Sequence, residues 1–81
     1  MDYYEICTRK ANELRNEIVE DIRIVLEGKG YNSTHDTVRV EGNKIELLPD
    51  RVLINDWHTD HLEIKDLLDA LHAAYHAFPK Q

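Results

Sequence analysis

A single cysteine, Cys7, stands among 81 residues that include only three glycines, two prolines, one tryptophan and one phenylalanine. One thiol cannot close an internal disulfide, which fits a reducing compartment or indifference to redox. So little glycine leaves no phosphate-cradling loop: Gly28 and Gly30 are followed by a strand pattern and not by a helix. Basic residues are in deficit, 10 against 16 acidic, for a net charge of −6. That balance speaks against nucleic acid or an anionic membrane surface as partner, since either would call for a basic face. No stretch is apolar enough to span a bilayer, and Met1-Asp2-Tyr3-Tyr4-Glu5 lacks the basic start and apolar run of a signal peptide. The expectation is a cytoplasmic, soluble chain whose residues 1–81 form one domain with one core.

What is present is a clear pattern of aliphatics. Val38 and Val40, Ile45 and Leu47, and Val52 and Ile54 alternate with polar neighbours in three short runs, as half-buried strands do. A hairpin turn at Gly42-Asn43 would set Val40 opposite Ile45, Arg39 opposite Glu46 and Val38 opposite Leu47. A turn over Leu48-Pro49-Asp50-Arg51 would pair Leu47 with Val52 and Ile45 with Ile54. All six aliphatics then share one face, which helices must cover. The other face carries Thr37, Arg39, Glu41, Lys44, Glu46, Arg51 and Asn55, interrupted by Leu48 and Leu53. Those two leucines form a candidate partner-facing patch.

Helical periods flank the strands. From Asp2 to Glu27, apolar residues Tyr4, Cys7, Ala11, Leu14, Ile18, Ile22 and Val25 recur at intervals of three and four. Asp2 with Glu5 resembles a capping box, and Gly28 is the expected left-handed stop. About 25 residues at about 1.5 Å each make roughly 38 Å of helix, against about 17 Å for a five-residue strand. The first helix therefore overhangs, and Cys7 is expected as a packed thiol. Tyr31 is expected to anchor the loop that follows. In the second helix Asp60 and Glu63 look like a capping box, Pro79 ends the pattern, and Ile64, Leu67, Leu68, Leu71, Tyr75 and Phe78 form the buried stripe. Lys80 and Gln81 are expected to fray.

The predicted fold class is a two-layer α+β domain in the order αβββα, with both helices on one face of the sheet. Up, down and up strands make the two helices parallel. Their N-termini then share one end with the Asp56 to His61 loop, which predicts Tyr3, Tyr4, Trp57, His58 and His61 as neighbours, with Tyr3, Tyr4, Trp57 and His58 as candidate binding residues.

Five histidines invite a metal reading. His72 and His76, four apart, could hold one ion with Asp69 as third ligand. Against that, Asp69 lies four after Lys65, the spacing of an ordinary ion pair. Asp56, His58, Asp60 and His61 have suitable types for metal or acid–base work, but capping and turn roles account for part of that run. No cofactor and no metal is the expectation, with Asp69, His72 and His76 as the weaker alternative.

The order helix, three-stranded meander, helix resembles that of the double-stranded RNA-binding domain and of the HicA-type toxins. An RNA-binding member would carry lysines at the start of its second helix, where this chain has Thr59-Asp60-His61-Leu62-Glu63. In the toxins a histidine near the first strand is catalytic, and the segment Gly30 to His35 would give His35 that part. The residues favour a small non-catalytic protein-interaction domain, a regulator or inhibitor of a partner protein, able to self-associate as a homodimer. A small ribonuclease using His35 is the alternative, and a metal- or ligand-binding module the third.

Overall fold

The computed structural model describes residues 2–80, and its order is α1 (Tyr3–Gly28), β1 (Thr37–Val40), β2 (Asn43–Leu47), β3 (Val52–Ile54), β4 (Trp57–His58), a 3-10 turn (Thr59–His61) and α2 (Ile64–His76). The strands form one antiparallel sheet in the order β1-β2-β3-β4. Its inner face carries the predicted aliphatics: Val38, Ile45, Leu47, Val52 and Ile54 are buried and Val40 is half-buried. Ile18, Ile22 and Leu26 of α1, and Leu67, Ala70, Ala74 and Ala77 from α2 and its C-cap, close the core over them. The α+β arrangement with helices packed on a meander is as the hydrophobic pattern predicts, with one two-residue strand added.

That added strand follows a hairpin at Asn55-Asp56, both with positive φ (52° and 71°). Such a turn needs a left-handed conformation at both central positions, which Asn and Asp tolerate better than most residues. The same geometry corrects the register of β1 and β2. The two-residue loop is Glu41-Gly42 (φ 51° and 78°), not Gly42-Asn43. Val38 accordingly pairs with Ile45, Arg39 with Lys44 and Val40 with Asn43. Glycine belongs at the second turn position here, as in the favoured Asn-Gly and Asp-Gly loops. The displacement is two residues, so every side chain keeps its face. The β2–β3 pairing is as expected, Leu47 with Val52 and Ile45 with Ile54, closed by the Leu48 amide donating to the Arg51 carbonyl at 3.0 Å.

The helices are parallel and run across the strands. Arg15 Nε donates to the Leu62 carbonyl near the start of α2 (3.2 Å), while Lys29 Nζ donates to the Tyr75 and Ala77 carbonyls at its end (2.6 Å each). Along α1, Asn16, Val19 and Glu20 share a cleft with His58, Thr59 and Asp60, and Arg23 reaches the β2–β3 turn. Along α2, Asp66 and Asp69 lie beside Trp57, Asn43 and Asn55, and His76 lies beside Val38, Val40 and Glu41. Both helices therefore travel from the β4 side to the β1 edge. The sheet they cross is about 19 Å wide at about 4.8 Å per strand, and the 26 residues of α1 make about 39 Å of helix.

Several local expectations are corrected. Asp2 caps α1 by accepting from the Tyr4 amide (3.3 Å), but the stop is Gly30 (φ 93°), not Gly28. Gly30 donates to the Glu27 carbonyl and Tyr31 to the Leu26 carbonyl, a Schellman closure with Tyr31 packed on the core behind it. At α2 the cap is Glu63 without a side-chain bond, and Asp60 lies in the 3-10 turn, whose cap is His58 Nδ1 accepting from the Asp60 amide (3.2 Å). The buried face of α2 is Leu67, Ala70, Ala73 and Ala74, while Leu68, Tyr75 and Phe78 are exposed. Alanines win because their small side chains let α2 approach α1 closely. Lys80 is not frayed: its amide donates to the Lys29 carbonyl (2.8 Å) and its ammonium meets Asp36. Gln81 lies outside the described residues.

Candidate functional site

The first three turns of α1 reach past the rest of the fold. Arg15 is already level with Leu62, so the residues from Tyr3 to Leu14 extend beyond it. Tyr3 and Tyr4 are 81% and 76% exposed and Leu14 is 42% exposed. Cys7 is exposed too, which corrects the expectation of a packed thiol: its stripe position is apolar, but none of the described residues covers it. Tyr4, Cys7, Ala11, Leu14 and Ile18 alternate spacings of three and four, the seam of a helix that packs on another helix. Only at Ile18 does that seam enter the core. Along the projecting part, Glu5 and Glu13 balance Arg9 and Lys10, so the chain's net negative charge lies elsewhere.

The predicted cluster of Tyr3, Tyr4, Trp57, His58 and His61 does not assemble. His58 sits beside Asn16 to Glu20, and Trp57 beside Leu62, Asp66 and Asp69. His58 and His61 alone remain close, edge to face at 6.1 Å. The cause is the travel of α1 across the sheet: its overhang extends away from the loop and does not fold over it. Leu48 and Leu53 are half-buried, with Leu53 paired between Glu46 and His58. His35 is exposed in the loop before β1, its Nδ1 3.3 Å from Thr34 Oγ1 and its Nε2 3.6 Å from Asp36 Oδ1. Asp36 is already engaged by the Asn32 amide (2.6 Å) and by Lys80. The Asn32 amide, and then the Lys80 ammonium, hold its carboxyl below the ordinary carboxylate value.

On the outer sheet face Lys44 lies between Asp56 and Glu46, which raise its pKa, and Lys44 in turn lowers that of Asp56. Asn55 accepts from the Lys44 amide (2.9 Å) and donates to Asn43 Oδ1 (3.2 Å), tying the two left-handed turns together.

α2 passes directly over the first of these turns. Glu41 Oε1 lies 3.0 Å from His76 Nδ1, and Glu41 Oε2 lies 3.8 Å from His72 Nδ1. The two imidazoles are 4.2 Å apart between ring centres. The third ligand-capable group beside the histidine pair is thus Glu41 and not Asp69, which faces Asn43, Asn55 and Trp57 instead. Spacing along one helix could not reveal Glu41, because it arrives from a hairpin. Lys65 likewise pairs with Glu63 (3.8 Å), with no ion pair to Asp69 among the described residues.

No helix among the described residues is long and apolar enough to cross a membrane. No protein-family model, no curated protein and no solved structure matches this chain.

Proposed function

We propose that this chain is a non-catalytic interaction domain that binds through the projecting part of α1, and that its partner is the same segment of a second copy. The observation that carries this is the Tyr4, Cys7, Ala11, Leu14 seam, which continues the core stripe of Ile18, Ile22 and Leu26 outside the fold. An antiparallel pair centred near Arg9 would set Tyr4 against Leu14 and Cys7 against Ala11, large beside large and small beside small. The segment itself carries no net charge, with Glu5 and Glu13 against Arg9 and Lys10, so it presents no field of one sign to oppose a second copy of itself. Fully burying an exposed Leu side chain contributes about 1.5–3 kcal/mol, and Leu14, 42% exposed, has a little under half of its surface left to cover.

Sedimentation velocity over a concentration series, in a chelating buffer, tests this. The wild-type chain is expected to shift from monomer to dimer as concentration rises. Leu14→Lys is expected to stay monomeric with an unchanged circular dichroism spectrum. A wild type that remains monomeric throughout, or a Leu14→Lys variant that dimerises equally well, would overturn the assignment of this seam.

A further inference from the structure

We infer that Glu41, His72 and His76 form a binding site for a divalent transition-metal ion, with zinc as the representative. The three side chains come from two elements far apart in sequence, and one ligand atom from each lies within 4.8 Å of the other two. A zinc ion about 2.0–2.2 Å from nitrogen and oxygen donors holds those donors roughly 3.3 Å apart when tetrahedral. The Glu41 oxygens at 3.0 and 3.8 Å from the two imidazole nitrogens bracket that separation. His72 and His76 lie one helical turn apart, so their rings project side by side, 4.2 Å between centres. Two imidazoles and one carboxylate leave a fourth position for water or another ligand, as in open zinc sites.

A second observation is independent of these distances. Glu41 occupies the first position of the hairpin turn with φ 51°, a conformation that costs a residue with a Cβ and that Asn or Gly would accept more readily. A glutamate there is unfavourable for the backbone, yet it places a carboxylate against both histidines. The side chains are open to solvent, with Glu41 45%, His72 67% and His76 53% exposed, so an ion can enter without any opening of the core. Once bound, it links the β1–β2 turn to the last turn of α2, and binding therefore raises the stability of the whole fold.

Isothermal titration with zinc chloride at neutral pH, beside thermal unfolding, tests the site. The wild type is expected to bind one zinc per chain and to melt at higher temperature with it. His76→Ala is expected to lose the binding, and His61→Ala, remote from the site, to retain it. Glu41→Asn separates ligand from backbone: it suits the turn better and so keeps the fold, while its shorter neutral side chain weakens zinc binding about tenfold or more. Glu41→Gln, which keeps the length, is expected to weaken it as well. Zinc bound by Glu41→Asn and Glu41→Gln as tightly as by wild type would reduce the site to a surface histidine pair and overturn the inference. So would one zinc per two chains, or no saturable binding by the wild type.

Discussion

The Arg23 guanidinium donates to the Leu48 carbonyl at 2.8 Å, joining the middle of α1 to the turn between β2 and β3. The same group donates to the carbonyls of Ser33 and Arg51, so one side chain ties α1 to both the loop before β1 and the β2–β3 turn. Arg23→Ala is expected to destabilise the fold by about 1–3 kcal/mol, because backbone carbonyls lose charge-assisted donors. Urea unfolding measures this. Arg23→Lys is expected to recover only part of it, since an ammonium lacks the planar fork.

Acid and base are expected to erode stability for identifiable reasons. Asp36 and Asp56 have depressed folded pKa values, so their contribution is present above the ordinary value of 3.8 and is lost as pH falls below it. Lys44 has a raised value, so its contribution is present below 10.5 and is lost as pH climbs through its folded pKa. Urea midpoints should fall at both extremes of pH. Asp36→Asn is expected to flatten the acid limb, and an acid limb unchanged by it would assign that loss elsewhere.

The alanine face of α2 sets a sharp contrast between neighbouring positions. Ala74 is fully buried against the core, whereas Tyr75 is 61% exposed. Ala74→Leu is expected to cost about 1–3 kcal/mol through overpacking. Tyr75→Ala is expected to stay within about 0.5 kcal/mol of wild type. Thermal or urea unfolding of the two variants checks both.

Cys7 offers a reporter on the proposed pairing. Exposed in the single chain, it is expected to react with a thiol reagent without unfolding. Its rate is expected to fall as protein concentration rises, because the second copy covers it. A rate independent of concentration in wild type, together with monomeric sedimentation, would count against the seam.

Much of this fold is legible in the sequence because alternation of period two fixes which face each strand residue occupies. The β2–β3 register can be read from Pro49 and its turn. The β1–β2 register cannot, because registers two residues apart bury the same aliphatics, and the difference rests on which residue accepts a left-handed backbone. Glu41 is a poor candidate for that conformation, and it is the residue that occupies it. The fourth strand escapes for a related reason: Trp57 and His58 are too few for any alternation to show. In α2 the large apolar residues suggest one stripe, of which Leu67 is buried, but the core also takes Ala70, Ala73 and Ala74, a choice made by how closely two helices approach. Of the candidate metal ligands the histidine pair is visible, since its spacing is local, and Glu41 is not.

The reach of α1 has a consequence for how the chain breathes. A stretch of about twelve residues is near the shortest that holds a helix in water without tertiary support. Amide hydrogens from Ile6 to Leu14 are therefore expected to exchange through local fraying, long before those of Ile18 to Leu26, with protection climbing along the helix towards the core. A bound partner would act as a splint on that stretch. The slowing of exchange there, amide by amide, would then trace its footprint on the helix, whichever molecule supplies it.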